Sequence, residues 1–279
     1  MLHAIRIPPA PCLTLCALLA ATLPCRAEQP LWELGAGVGA LSLPHYRGSD
    51  QSHHWVLPIP YAVYRGRILR ADREGARAVL VDQERLDIDL SLAASPRSRS
   101  SGNTARSGMP DLQATAELGP NVNLRLAQFK PEGGEWKLDL RVPLRAVATL
   151  ERKPHSVGFT LSPVLSLDGR ANGWNLGLQA GPLAATRRYH GHFYDVDPAY
   201  ATAARPAYRA RGGYAGWRAL ASASRRVGDW WLGGFIRSDQ MDGAAFADSP
   251  LVKRHQQFSF GFAASWVFMV SDERVPDGR

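Results

Sequence analysis

Apolar and polar side chains alternate along many stretches of this chain, and this pattern limits the folds open to it more than any other feature. In the segment RLDIDLSL, residues 85–92, every second residue from Leu86 is leucine or isoleucine, and those between are aspartate or serine. A period of two is typical of β-strands, whose successive side chains point to opposite faces. No segment after residue 27 sustains the 3.6-residue apolar period of a helix, so we predict an all-β fold.

The alternating segments predict about twelve strands with connections of two kinds. The strands are 31–41, 54–64, 66–71, 76–81, 85–94, 113–129, 135–149, 155–167, 173–184, 214–226, 229–238 and 255–269. Short turns lie near residues 65, 82, 131, 168 and 228, whereas the long connections are 42–53, 95–112, 185–213 and 239–254. A soluble β-sandwich also alternates, with its apolar face inward. Long strands, flanking aromatics and short turns opposite long loops instead favour a transmembrane antiparallel β-barrel of an outer membrane.

The first 27 residues differ from the rest. A basic Arg6, an apolar segment from Cys12 to Leu23 and a small residue, Ala27, have the order of a secretory signal peptide. We expect cleavage there, and one domain over 28–279, a barrel with a short tail at 271–279. The three cysteines all lie in the predicted signal peptide, so the mature chain has no disulfide.

The net charge of the chain is positive, but basic and acidic residues are interspersed along it. The chain has 33 Lys and Arg against 25 Asp and Glu, and loss of Arg6 and Arg26 leaves a net charge of +6. No block of Lys and Arg indicates nucleic-acid binding. We expect contact with outer-membrane lipid and lipopolysaccharide instead, and a monomeric barrel.

Motifs of catalysis and metal binding are weak. His190, His192, Asp195 and Asp197 lie within eight residues, and two histidines two apart on a strand would share a face. The same residues are ordinary in a solvated loop. The chain has no GxSxG, HExxH or CxxC motif and no phosphate-binding glycine loop. We therefore predict no metal, no cofactor and no enzymatic activity.

Charged residues on the polar face of the predicted strands would point into the lumen. They are Asp87, Asp89, Arg125, Lys137, Asp139, Arg141 and Arg145. Their mixed signs suit either a network of ion pairs that holds a small barrel rigid or the lining of a narrow channel. Twelve strands leave room for side chains and some water, not for a wide pore.

Several longer motifs resemble those of one family. They are GAGVGALSLPHYRGSD (35–50), LPIPYAVYRGR (57–67), ARSGMPDLQATAELGPNV (105–122), YHGHFYDVDPAYA (189–201), YRARGGYAGW (208–217) and FADSPLVKRHQQFSFGFAASWVF (246–268). In this order they resemble the MltA-interacting protein/OmpV family of outer-membrane proteins. The resemblance implies an outer-membrane barrel of a Gram-negative cell. It also implies a scaffold that links a lytic transglycosylase to a peptidoglycan synthase, whereas a narrow channel or uptake barrel for small solutes is the alternative.

Residues of these motifs are candidates for loop and partner contacts. They are Tyr46, Gly48, Ser49, Asp50, Arg106, Gly108, Met109, Pro110, Asp111, Gly119, Pro120, Asp248, Ser249 and Pro250. Gly108 and Pro110 favour a turn across which Arg106 and Asp111 could pair. The segment 95–112 would fold into or over the pore, or dock a partner, or act only as a stiff connector that sets the register of the strand 113–129. The sequence also departs from barrels that end in an aromatic residue, because SDERVPDGR follows Phe268 and Val270.

Overall fold

The computed structural model describes residues 28–72 and 75–276, so the predicted signal peptide lies outside the described residues. The strands of the wall are β2 (Trp32–Pro44), β3 (Ser52–Arg65), β4 (Leu69–Asp72), β5 (Gly75–Asp82), β6 (Leu86–Ser95), β7 (Thr115–Phe129), β8 (Gly134–Thr149), β9 (Ser156–Leu161), β10 (Val164–Ala171), β11 (Trp174–Ala185), β12 (Gly213–Val227), β13 (Trp230–Gln240) and β14 (Gln256–Val270). Two three-residue strands, β1 (Glu28–Pro30) and β15 (Arg274–Pro276), pair with each other outside this wall.

The wall is a closed antiparallel barrel. Each strand pairs with its neighbour along the chain, and β14 pairs with β2 to close the ring. β9 and β10 lie end to end against β8 and are interrupted at Pro163, so they form one crossing. Proline has no N–H for the ladder, which explains the break. The ring therefore has twelve crossings, and the predicted all-β barrel is confirmed.

Opposite faces of the strands meet different surroundings. On β14 the side chains of Phe258, Phe260 and Phe262 are 54–66% exposed on the outer face, whereas Ser259 and Ser265 are fully buried on the inner face. The leucine and phenylalanine rows therefore lie on the outer face of the barrel, as in membrane barrels, and the small and polar rows face the lumen. Not every aromatic residue belongs to the outer rows. Tyr61 and Trp231 point inward, with ring centroids 5.6 Å apart.

The turns of one rim are tight. Between β10 and β11 the turn is only Asn172 and Gly173, with φ angles of 51° and 77°. Two central residues with positive φ form the hairpin turn whose twist matches that of the flanking strands. The strand predicted to end at residue 167 therefore continues to Ala171, and the turn is shorter than predicted.

Long loops occupy the other rim and contain short helices, which the sequence did not predict. They are the helix α1 (Arg187–Tyr194) and three 3-10 turns, Ser100–Gly102, Thr104–Arg106 and Pro198–Tyr200. Eight residues span little more than two turns, too few to show a 3.6-residue period clearly. In the described residues no helix is long and apolar enough to cross a membrane.

The predicted tail is part of a small folded unit as far as residue 276. β15 pairs antiparallel with β1, from Glu28 opposite Pro276 to Pro30 opposite Arg274. The Leu31 amide also donates to the Glu273 carbonyl oxygen at 2.9 Å. The first and last described segments therefore meet beneath the rim with the tight turns.

Candidate functional site

The long loops pack into a cap over one end of the barrel. The cap has its own hydrophobic core of buried residues, namely Tyr46, Ala105, Leu112, Tyr194, Val196, Ala210, Ala215, Met241, Ala244, Phe246 and Leu251. The rings of Tyr194 and Phe246 stack with centroids 3.8 Å apart. Such a core holds the loops in one arrangement, as it would in a small soluble domain.

Hydrogen bonds join the separate loops of the cap. The Tyr46 hydroxyl donates to the Leu251 carbonyl oxygen at 2.8 Å, and the Tyr194 hydroxyl donates to that of Arg47 at 2.9 Å. The Ser249 hydroxyl donates to the Tyr194 carbonyl oxygen at 2.9 Å. Burial raises the pKa of Tyr46 to about 12, so its hydroxyl keeps the proton that it donates.

Gly48 allows the loop after β2 to reach the opposite side of the cap. Its φ of 92° favours glycine, and its carbonyl oxygen accepts from the amides of Lys253 and Arg254 at 2.7 and 3.1 Å. The Gly48 amide in turn donates to the side chain of Gln257. The neighbouring Asp50 and Asp248 are exposed, whereas Pro250 is half-buried.

The loop 96–114, which follows β6, lies across the cap and binds two other loops. Asn103 donates to the Ser49 hydroxyl at 3.0 Å. Arg106 donates to the carbonyl oxygens of Phe193 at 2.9 Å and Pro110 at 3.1 Å, and it lies 5.8 Å from the Tyr46 ring centroid. This loop is therefore a folded part of the cap.

The expected pairing of Arg106 with Asp111 is not the arrangement found. Asp111 accepts from Arg97 at 2.7 Å and from the Ser100 amide at 2.8 Å, and these bonds lower its pKa. Gly108 has the positive φ, 79°, that the predicted turn requires, and Met109 packs against the core of the cap.

Gly119 and Pro120 lie apart from the other motif residues, in β7 of the barrel wall. A Cβ atom on Gly119 would lie 1.9 Å from the Leu144 carbonyl oxygen, so only glycine permits this approach of β7 to β8. The two residues therefore serve the wall and not the cap.

The histidine-rich segment is a helix and not a strand. His190 and His192 therefore point in different directions around α1, and the expectation that they share a face is wrong. His190 is fully buried, its Nδ1 lies 2.6 Å from the Arg211 carbonyl oxygen, and burial lowers its pKa. In the described residues no group of three metal-ligating side chains comes together.

A buried aspartate joins the cap to the wall. Asp239 is fully buried at the end of β13, and nitrogen atoms of Arg47, Arg218 and Arg237 each lie 3.0 Å from its carboxylate. Arg237 donates from Nη2 to the Ser259 hydroxyl, and its Nε makes no hydrogen bond, so it acts on Asp239 through its charge. Arg47 comes from the cap and the other two from the wall. The predicted strand ended at residue 238, one position short, so Asp239 was assigned to the following loop and was not singled out.

A cavity of about 560 Å³ lies in the lumen. Most of the predicted lumen charges form a network on one side of this cavity. Arg125 pairs with Asp139, and Arg141 lies 2.7 Å from Asp168. The amides of Asn121 and Asn123 donate to Asp89 at 3.1 and 2.8 Å. Asp87 and Lys137 lie in register with this inward row, and Arg145 donates to Ser91 at 3.1 Å.

The other side of the cavity is apolar. It is lined by Gly39, Leu41, Ile59, Trp231, Phe235 and Ala263. The sequence did not predict this side, because only the charged residues of the inward face were singled out. The lumen is therefore amphipathic across its width.

The rim with tight turns carries a second cluster of charges. Glu33 is bound by Arg65 and by Arg226, each at 2.6 Å. Arg65 also donates to the Pro30 carbonyl oxygen at 2.8 Å, which fixes β1 against the barrel. The small β1–β15 sheet is thus anchored to the wall.

Solved structures with a similar outline are outer-membrane barrels of low similarity. Outer membrane phospholipase A from Escherichia coli is 8% identical, with 85% of this chain and 93% of that chain covered and a TM-score of 0.33. The CymD monoaromatic hydrocarbon channel is 12% identical, with 86% and 89% covered and a TM-score of 0.33. A bacterial polysaccharide outer membrane secretin is 10% identical, with 86% and 99% covered and a TM-score of 0.36. At such scores the likeness carries no argument about function.

The sequence comparisons are more specific. The model of the family described as MltA-interacting protein MipA matches residues 36–268. This range begins within β2 and ends within β14, so it includes the cap and all of the ring except the first residues of β2 and the last two of β14. The comparison with curated proteins finds no match.

Proposed function

Because the chain belongs to the MltA-interacting protein family, we propose that it is an interaction protein of the cell envelope. In this role a monomeric outer-membrane barrel binds a lytic transglycosylase, and with it a peptidoglycan synthase, at its periplasmic end. The observation that carries the proposal is the family match over residues 36–268, because the family is described by its interaction with MltA.

The two rims of the barrel support this direction of binding. The external rim is covered by a packed cap, whereas the periplasmic rim has tight turns and the anchored β1–β15 sheet. A folded surface binds a partner at a lower entropic cost than a flexible tail does. The small sheet is therefore the surface that we assign to the partner.

Pull-down with the purified chain in lipid nanodiscs tests the proposal. The bait is the full mature chain, and the prey are the purified lytic transglycosylase and peptidoglycan synthase. A variant lacking residues 271–279 removes β15 and should lower capture at least tenfold. Asp242→Asn, an exposed change on the opposite rim, is the control and should leave capture unchanged.

The outcomes separate the binding surface from the role. If the shortened variant captures the enzymes equally well, the partner contacts the tight turns and not the β1–β15 sheet. Failure of the full chain to retain either enzyme would overturn the scaffold role itself.

A second candidate, passage of small solutes, is favoured by one observation. The 560 Å³ cavity is lined partly by charged side chains, as a narrow uptake path would be. Single-channel recording in planar bilayers distinguishes the two candidates, since a scaffold that retains its cap should conduct little. The expectation that the protein is not an enzyme stays a prediction, and hydrolysis of phospholipid or peptide by the purified chain would contradict it.

A further inference from the structure

The wall of the barrel is incomplete on one side. On the side of β3 that faces β4, among the described residues, only Tyr64 and Arg65 have strand partners. Residues 52–63 of β3 therefore have none there. On the far side, β5 pairs with β6 only as far as Ser91, so residues 92–95 of β6 are also without a partner from β5. The described strands of the β4–β5 hairpin, Leu69–Asp72 and Gly75–Asp82, fill the lower part of the wall, and above them the described residues leave a side gap.

Two prolines lie on the edge of this side gap. The Arg65 amide donates toward β2, at the Leu31 carbonyl oxygen, so the amide positions of even-numbered residues of β3 face the gap. Pro58 and Pro60 are even-numbered and have no N–H. Proline is confined to such unpaired edges in sheets, where it removes donors that would otherwise lack a partner. The sequence of β3 thus fits a strand with an open edge.

The top of the side gap is crossed by the loop 96–114. Thr104 of this loop donates its amide to the Gln51 side chain, just before β3, at 2.7 Å. The gap is therefore a window, with β3 and β6 at its sides, the hairpin below and the loop above. Two missing strands at about 4.8 Å spacing place β3 and β6 roughly 14 Å apart. An acyl chain is narrower than this opening.

The lumen wall next to the side gap is the apolar one. Ile59 of β3 lines the cavity, and Leu57 lies on the same inward face of β3 yet is 43% exposed. Leu41 of the neighbouring β2 and Phe235 continue this wall. A hydrocarbon chain that entered sideways from the bilayer would therefore find apolar side chains along its path.

An arginine with unused donors faces the same cavity. Arg145 donates from Nε to Ser91, and within the described residues no carboxylate forms a salt bridge with it. Arg141 and Arg218, which also line the cavity, pair with Asp168 and Asp239, whereas Glu117 and Asp89 lie near Arg145 without forming a salt bridge with it. A guanidinium group binds carboxylate or phosphate with paired hydrogen bonds.

We propose that the cavity binds a single-chain amphiphile with an anionic head group, which enters from the membrane through the side gap. The head group binds Arg145, and the chain lies against Leu41, Ile59 and Phe235. The anionic head group of such a ligand matches the charged side of the lumen, and its hydrocarbon chain matches the apolar side. This site is independent of the periplasmic partner surface, because the β1–β15 sheet takes no part in it.

Photo-crosslinking locates the ligand directly. The probes are diazirine-labelled dodecanoate and dodecyl phosphate, with the uncharged dodecanol analogue for comparison, on the chain in phosphatidylcholine nanodiscs. Mass spectrometry should place the anionic probes on inward residues such as Leu41 and Ile59, at several times the level of dodecanol. Preference for one anionic probe distinguishes a free fatty acid from a lysophospholipid. Labelling confined to outward residues such as Val38 and Val56 would overturn the proposal.

Two variants test the site itself. Arg145→Gln should remove the preference for anionic probes, whereas Arg152→Gln, an exposed change outside the cavity, should keep it. Gly39→Leu should abolish inward labelling. A Cβ at Gly39 meets Ile59 at 3.5 Å, an ordinary contact, so the barrel accepts the side chain while the cavity fills. Inward labelling that persists in Gly39→Leu, with heat-modifiable gel migration intact, would contradict the assignment.

The route is tested by blocking the side gap. The mature chain has no cysteine, so Pro60→Cys gives a single position for a bulky maleimide on the edge of the gap. This label should slow inward labelling severalfold. The same label at Leu165→Cys, an outward residue of β10 that is 50% exposed, should not. Equal rates for the two labelled proteins would exclude lateral entry.

Discussion

Asp239 is the residue on which the junction of cap and wall depends most. It is fully buried, and nitrogen atoms of three partly exposed arginines, Arg47, Arg218 and Arg237, each lie 3.0 Å from its carboxylate. A buried charge cluster of this kind is weak evidence for stability as a whole, but loss of one member leaves the others uncompensated.

We predict that Asp239→Asn lowers the free energy of unfolding by about 1–3 kcal/mol, because three partly buried arginines then lose their common counter-charge. Urea unfolding in lipid vesicles, followed by tryptophan fluorescence, measures the change. Asp242→Asn removes an exposed carboxylate three residues away and should cost less than about 1 kcal/mol. Equal effects of the two variants would contradict the role assigned to Asp239.

The histidines of the cap predict that it loosens in acid. Burial lowers the pKa of His45, His190 and His192 below the ordinary 6.5. Below about pH 6.5 the unfolded loops take up protons that the folded cap resists, so cap stability falls as pH falls and is retained above that value. Limited proteolysis of the loop 186–212 should therefore be faster at pH 5 than at pH 7.

The fully buried His190 should account for part of this dependence. His190→Gln removes one titrating group and should weaken the acceleration, whereas His155→Gln, in an exposed position, should leave it unchanged. A proteolysis rate that does not vary between pH 5 and 7 would refute the prediction.

Among the elements, the long strands were predictable from the sequence, whereas the short helix α1 and the three-residue strands β1 and β15 were not. β7, β8 and β14 alternate over 15 or 16 residues, and lipid on one face and lumen on the other make that alternation strict. The helix α1 has eight residues and was taken for loop. β1 and β15 have three residues each, and their pairing depends on barrel closure, which no local pattern records.

The candidate sites were predictable only in part, for a related reason. Lumen charges follow from the period of two along single strands. The cap, the Asp239 cluster and the side gap depend on which strands and loops become neighbours. Pro58 and Pro60 were visible in the sequence, but their meaning depends on the strand partner that β3 lacks.

The turn of residues 172–173 allows a test at the scale of one hairpin. Both residues have positive φ, so Asn172→Ala with Gly173→Ala imposes roughly 1–2 kcal/mol of strain for each residue. Refolding into vesicles, followed by the gel shift between folded and unfolded bands, should slow or become incomplete. Gly102→Ala is the control, because a Cβ there meets nothing within 4 Å. Equal refolding of both variants would contradict the requirement for this turn.

At the scale of the whole molecule, closure is the property that a membrane requires. At the end of the barrel with the tight turns, each strand pairs with the strands on either side of it, and the pairing of β14 with β2 completes the ring. A backbone in lipid must satisfy its hydrogen bonds internally, and a ring does so where an open sheet does not. The side gap is the exception. Pro58 and Pro60 on its edge have no N–H, so fewer backbone donors are left without a partner there.

We predict that the folded protein resists detergent until heated. An unheated sample in sodium dodecyl sulfate should migrate differently from a boiled one, because the closed ladder of strands holds the compact form. Identical migration of the two samples, together with solubility in buffer without detergent, would be incompatible with a membrane barrel.

The pairing of β1 with β15 brings the first and last described strands side by side. A domain fused to either end would therefore hang from the same point beneath the barrel. A short linker could also join the two ends, so that the chain could be opened at a tight turn such as 172–173 and still encode the same ring.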